Sequence, residues 1–339
     1  MSTRVTISEV AKLAGVHPGT VSRALNKKTE NQVNVDTVRR VRDAAKRLGY
    51  SPNSIARGLR TSSSMTVGVI IPDLTNPIFP PIVRGIDNYL LPRGYSTVVV
   101  NTDGSDANER QLFESLVQRQ VDGFIFATGH TGQSIVHEAY ERGIRGVMVN
   151  RDSGGVPYPA VVGDDSQGIR ASVEHLAQLG HRRLVHLEGP ASFSTSRVRA
   201  ASFLSSCAEF GLSGTVALCG SYSVDEGQRV MDAVLAERSS QPTAVVAGND
   251  LLALGVYHSL RTHGLRCPED MSVVGFNDMP FSGDFQPPMT TVRVPQTELG
   301  AESARLLLRQ IEDADRSAVR VVLPVELIVR ASTARVHQA

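Results

Sequence analysis

The chain has 339 residues, 41% of them hydrophobic and 20% charged, with a formal net charge of +1; at about 150 residues per folding unit, that length implies two or three units rather than one core. No apolar run approaches the ~20 residues that span a bilayer, and Met1 is not followed by a basic start and an apolar stretch, so neither a spanning helix nor a secretory leader is expected. The three cysteines, Cys207, Cys219 and Cys267, have no metal-ligand spacing and read as reduced thiols of a cytoplasmic protein, with no metal and no cofactor expected.

Charge divides the chain unevenly. Residues 1–64 hold 12 Lys/Arg against 4 Asp/Glu, whereas the rest holds 23 against 30. A basic module on an acidic body attracts phosphate without making the whole chain adhere to it. Within this module Thr6-Ile-Ser-Glu9 fits a capping box, and Ile7, Val10, Ala11 and Ala14 share one face of a short helix. Gly15 suits its left-handed end. Pro18 suits the first turn of a second helix, which turns Val21, Ala24 and Leu25 inward and Thr20, Ser22, Arg23 and Asn26 outward. A third helix is expected from about Val35 to Leu48, burying Val38, Val41, Ala45 and Leu48 and ending at Gly49. Two short helices about a glycine turn, braced by a third, form an all-α helix-turn-helix domain.

From Met65 the pattern becomes strands alternating with helices. Val67–Ile71, Thr97–Val100, Gly123–Phe126, Gly146–Val149, Leu184–Leu187, Val216–Leu218, Ala244–Ala247 and Ser272–Phe276 are short apolar runs with helical stretches between them. Such runs imply parallel sheets covered on both faces. Eight exceed one comfortable sheet, so two doubly wound α/β subdomains are expected, with ligand at the carboxyl ends of the strands. Asp250 reads as the N-cap of a helix over 251–260. No G-x-G-x-x-G, phosphate-binding loop, H-E-x-x-H or G-x-S-x-G occurs, and no lysine follows Lys46, so an enzyme is not expected.

Thr6–Val16, Thr20-Val-Ser-Arg-Ala-Leu-Asn26, Arg47-Leu-Gly-Tyr-Ser-Pro-Asn53 and Ala56-Arg-Gly-Leu59 resemble, in order, the DNA-binding region of the lac-repressor/gal-repressor (LacI) family. Residues 65 onward resemble that family's periplasmic-binding-protein-like domain, through Ile71–Pro77, Val121–Gly123, Glu174–His181, Ala247–Asp250, Ser272–Asp278 and Pro288–Thr291. The loop over 27–33 is about two residues longer than the family pattern. The resemblance implies a transcriptional repressor whose operator affinity is set by a small molecule, with an activator or dual regulator as the alternative. A sugar-binding protein or an α/β enzyme without a regulatory role is a remote one.

What the resemblance implies can be placed residue by residue. Residues 1–60 would be the DNA-binding domain, including a hinge helix over 53–60, and 61–64 a linker. Residues 65–339 would bind effector and dimerise, with one subdomain near 65–162 plus 292–322 and the other near 163–291 plus 323–332. The helix at Pro18 would enter the major groove, with Arg23 reading a guanine. Pro18 and Gly19 occupy positions that often choose bases and carry no hydrogen-bonding side chain, so readout leans on Arg23, helped by Thr20 or His17. His17 is equally well a helix cap. Thr6, Ser22, Asn26, Tyr50 and Asn53 would hold phosphates, and Leu59 would wedge into the minor groove or, alternatively, form a dimer contact. Ile78 and Phe79 would floor the effector pocket, Tyr222 would wall it, and Arg199, assisted by Thr195, would fork onto ligand oxygens. Asn249 and Asn277 would hydrogen-bond hydroxyls. Asn150 and Asn277 stand where acids are often found, so an acidic or phosphorylated ligand is expected as readily as a neutral sugar. No leucine heptad follows 332, so the expected assembly is a homodimer on double-stranded DNA, away from any membrane.

Overall fold

The computed structural model describes residues 5–26, 29–50, 63–129, 135–152, 154–237, 241–313 and 317–336. The chain divides into two units, Met1–Ser64 and Met65–Ala339.

In the first unit, α1 (Ile7–Ala14), α2 (Pro18–Ala24) and α3 (Val35–Leu48) surround a core of Val10, Ala11, Ala14, Val21, Ala24, Val38, Val41, Ala44 and Ala45. Leu48, expected inside, is half-buried, and Ala44 takes a core place instead. Gly15 and Gly49 end α1 and α3 at φ 64° and 67°, where a side chain would be strained. Asn34 caps α3 by accepting the Asp36 N–H at 2.9 Å.

The second unit contains two six-stranded sheets. Strands β1 (Thr66–Ile71), β2 (Ser96–Asn101), β3 (Gly123–Phe126), β4 (Gly146–Val149), β5 (Ala160–Gly163) and β11 (Arg320–Leu323) form the first, ordered β11-β5-β4-β3-β1-β2 and parallel throughout. Strands β6 (Arg183–Glu188), β7 (Ser213–Leu218), β8 (Ala244–Ala247), β9 (Ser272–Asn277), β10 (Thr290–Arg293) and β12 (Glu326–Ile328) form the second, ordered β12-β10-β9-β8-β6-β7. Here only the β10–β12 pair is antiparallel. The chain crosses between sheets after Gly163, Arg293 and Leu323. Strands β5, β10, β11 and β12 go beyond the eight expected from apolar runs. Each has only three or four residues, and β11 and β12 lie at sheet edges with half-exposed patterns, which hides them from a hydrophobicity reading.

Helices α4 (Phe79–Leu90), α5 (Asp106–Gln118), α6 (Ile135–Glu141) and α11 (Gln296–Glu312) accompany the first sheet. Helices α7 (Asp165–Gln178), α8 (Ser194–Glu209), α9 (Val224–Ala236) and α10 (Asp250–Thr262) accompany the second. One glycine pair fixes how α4 meets α11. A Cβ on Gly85 would stand 2.0 Å from the Thr297 carbonyl oxygen, and one on Gly300 would stand 2.0 Å from that of Ile82. The two backbones therefore touch directly. Among the described residues, no helix is long and apolar enough to cross a membrane.

Candidate functional site

In the first unit the Thr6 N–H and hydroxyl both donate to Glu9 Oε2, at 2.7 and 2.8 Å, while the Glu9 N–H donates back to Thr6 Oγ1 at 3.4 Å. The bond from the Thr6 backbone, then that from its hydroxyl, holds the Glu9 carboxyl below its ordinary value. This box starts α1 and sets the chain's path toward α2. His17 caps α2: its Nδ1 accepts the Gly19 N–H at 3.1 Å, which leaves the neutral ring's proton on Nε2 as an exposed donor. Pro18 occupies the first turn, where its missing N–H costs nothing. Arg23 is exposed, and its Nε donates to the Gly19 carbonyl at 3.3 Å. Thr20, Ser22 and Asn26 are half-buried on the same short helix and the turn after it. Tyr50 packs against the three-helix core. Asn53 and Leu59, with the whole segment expected as a hinge helix, lie outside the described residues.

In the second unit the two sheets bring the predicted pocket residues to one cleft. Ile78 and Phe79 follow β1, Asn150 follows β4, Thr195 and Arg199 follow β6, Tyr222 follows β7, Asn249 follows β8, and Asn277 ends β9. All eight sit at strand carboxyl ends, where the order reverses at β1/β3 and again at β6/β8. Asn76 and Arg151 join them. Asn76 belongs to the Ile71–Pro77 motif, and its Oδ1 accepts the Ile78 N–H at 3.3 Å.

The structure gives two of these residues protein partners and corrects one cap. Arg199 already has partners: its Nε and Nη2 donate to Asp165 Oδ1 at 2.9 and 2.7 Å, and its Nη1 to the Gly248 carbonyl at 2.6 Å. Phe276 supports the guanidinium from 3.7 Å. Burial raises the Asp165 carboxyl, and the adjacent Arg199 lowers it part of the way back. Asn249, not Asp250, caps α10; its Oδ1 accepts the Leu252 N–H at 2.9 Å, leaving its amide N–H groups for other contacts. Asp250 stands one residue inside the helix, accepting from Met279 N–H at 2.7 Å and Thr291 Oγ1 at 2.5 Å. Its bonds to a neighbouring strand and loop are what the local sequence could not reveal.

An aromatic stack forms the cleft's other wall. Arg151 lies 3.6 Å above the Phe193 ring, which stacks on Tyr222 with centroids 6.3 Å apart. The Tyr222 hydroxyl lies 2.7 Å from Ser196 Oγ. A Cβ on Gly189 would stand 2.2 Å from Tyr222 Cζ, so glycine there makes room for the ring. Phe193 and Gly189 were not singled out from sequence, although both belong to the stretch that carries Arg199. Arg151 and Phe193 come from opposite sides of the cleft, as do Asp152 and Ser194, whose N–H to Oγ bond is 3.2 Å. Asn150 and Asn277 have φ of 66° and 117°, a backbone region that Asn tolerates better than most residues and that clusters at ligand sites. Asp278 is ion-paired with Arg293 and Arg330, each at 2.8 Å.

A basic helix-turn-helix unit followed by a two-lobed parallel α/β unit with a polar cleft defines a DNA-binding regulator that carries a ligand-binding-protein fold. Residues 6–53 match the bacterial regulatory proteins of the lacI family, and residues 173–333 match the periplasmic binding protein-like domain. The ribose operon repressor of Halalkalibacterium halodurans is 34% identical over 331 residues, covering 97% of each chain. The lac repressor dimer bound to operator and the anti-inducer ONPF superposes with a TM-score of 0.86 at 28% identity, covering 98% of this chain and 100% of that one. The transcriptional regulator CelR in complex with cellobiose gives a TM-score of 0.73 at 31% identity, covering 97% and 100%. The chain belongs to the lacI family and is a transcriptional repressor of that family, not an enzyme.

Proposed function

We propose that this chain acts in the cytoplasm as a homodimer on a near-palindromic operator, and that a small carbohydrate-related effector in the cleft sets its affinity for that operator. The observation that carries this reading is the convergence of eight side chains from six strand ends on one cleft, in a chain that also holds a basic three-helix module. Two copies of α2 would reach successive major grooves, with Arg23 forking onto a guanine and His17 Nε2 or Thr20 adding a donor. Thr6, Ser22, Asn26, Tyr50 and Asn53 would fix the register on phosphates. Leu59 would wedge between base steps at the operator centre, kinking the duplex. Pro18 and Gly19 would contribute close backbone approach rather than base contacts.

Effector closing the two lobes would change the spacing of the DNA-binding modules. A coupling of ~1–3 kcal/mol would alter operator affinity about 5–150-fold. The likeness to proteins bound to an operator and to a sugar supports both halves of this reading. Selection of duplexes from a random-sequence pool by the purified full chain tests it. Enrichment of one near-palindrome supports the proposal, and a pool left unenriched contradicts it.

A further inference from the structure

The charge inside the cleft narrows the kind of molecule it can hold. Among the described residues, none that lines it is a carboxylate; Asn150 and Asn277 supply neutral amides. Arg199 has Asp165 as its counter-ion, and Asp278 is occupied by Arg293 and Arg330 outside the lining. Among the described residues Arg151 has no such partner: it is 4% exposed, and neither its Nε nor its Nη1 meets a hydrogen-bond acceptor there. The ionisable neighbours that act on it are Tyr222 and Arg199, and Arg199 repels its charge. Burial accordingly pushes the Arg151 guanidinium down to about 10, still protonated at neutral pH. Asn277 Oδ1 is likewise buried without a donor.

A buried cation without a counter-ion is costly, and an anion in the same enclosure relieves that cost. Phe193 covers one face of the Arg151 guanidinium, so in-plane N–H groups are what it offers, the geometry that suits carboxylate oxygens. Asn277 Oδ1 accepts, and the Asn249 amide donates, which suits hydroxyl groups. We propose that the effector is a sugar acid, a polyhydroxylated molecule whose single carboxylate pairs with Arg151. A phosphate monoester carries about −1.5 to −2 and would leave excess negative charge in the enclosure. The inference rests on the cleft being the effector site.

Calorimetry on the full-length protein tests it with gluconate, galactonate, galacturonate and ribonate, each beside its neutral parent sugar, and with glucose 6-phosphate. At least one acid should bind about 30-fold or more tightly than its neutral parent, the discrimination expected of a desolvated charge pair. Arg151→Gln should remove most of that preference, weakening the acid by at least about tenfold more than its neutral parent. Asn277→Asp, which adds a carboxylate to the cleft while keeping Arg151, should weaken the same acid. Binding of neutral sugars alone, of the phosphate alone, or of none of the acids overturns the proposal. Operator selection by the same preparation is scored separately: protein that selects a duplex yet ignores the acids keeps the repressor reading and loses this one.

Discussion

Arg199 and Asp165 form a buried ion pair across 34 residues of sequence, with two guanidinium nitrogens on one carboxylate oxygen. The pair ties the second turn of α8 to the start of α7, and the bond to the Gly248 carbonyl adds the turn before α10. One arginine thus fixes three chain segments beneath the cleft and still has N–H groups to spare for a ligand. Removing the acid leaves a second uncompensated guanidinium beside Arg151. Asp165→Ala should therefore lower the stability of the second unit by ~3–5 kcal/mol in denaturant unfolding. A loss below ~1 kcal/mol would show that the pair's desolvation cancels its attraction.

Two buried groups oppose each other in their dependence on pH. Burial pushes the Asp250 carboxyl up to about 6 from 3.8, so the folded state holds its proton longer than the unfolded chain. Stability from this group is full at low pH and falls as pH rises through about 4 to 6. Burial pushes His186 down to about 4 from 6.5, so the unfolded chain binds that proton first. Stability from this group rises over nearly the same window. Each contribution is on the order of 3 kcal/mol. Compared with the wild type, Asp250→Asn should gain stability between about pH 4 and 6.5, and His186→Phe should lose it. Urea unfolding at several pH values across that window reads both slopes.

The glycine contact between α4 and α11 leaves no room for a methyl group. Gly85→Ala or Gly300→Ala would press Cβ to 2.0 Å from a backbone carbonyl oxygen. Helices must then separate, at a cost of ~1–3 kcal/mol or more. Thermal unfolding should show a fall in midpoint for either variant; an unchanged midpoint would mean the helices shift apart at no cost.

Arg23→Ala should relax specificity at one base pair per half-site, with ~1–3 kcal/mol of discrimination lost there. Binding to the other positions should keep its sequence preference. A uniform weakening across all duplexes would instead place Arg23 among the phosphate contacts.

Much of this architecture was legible in the residues, and the misses share a cause. Capping boxes, terminal glycines and continuous apolar strands are local, so α1 to α3 and the eight longest apolar runs could be read directly. The cleft residues came from a resemblance in motifs rather than from spacing, because they are brought together from six separate strand ends. What escaped was long-range. Asp165 opposite Arg199, Thr291 and Met279 on Asp250, and Phe193 beneath Arg151 are contacts between distant segments. Nothing at either member of these pairs marks its partner. That Arg199 is already bonded to Asp165 and the Gly248 carbonyl went unread for the same reason.

The central claim is that the basic helices choose a DNA sequence and that the cleft adjusts the choice. Fluorescence anisotropy of the full chain on its selected duplex and on a scrambled duplex, at one moderate salt concentration, measures this directly. The selected duplex should bind at least ~10³-fold more tightly, and saturating the cleft with the calorimetrically identified ligand should move that affinity about 5–150-fold. Equal affinity for both duplexes, with or without ligand, would contradict it.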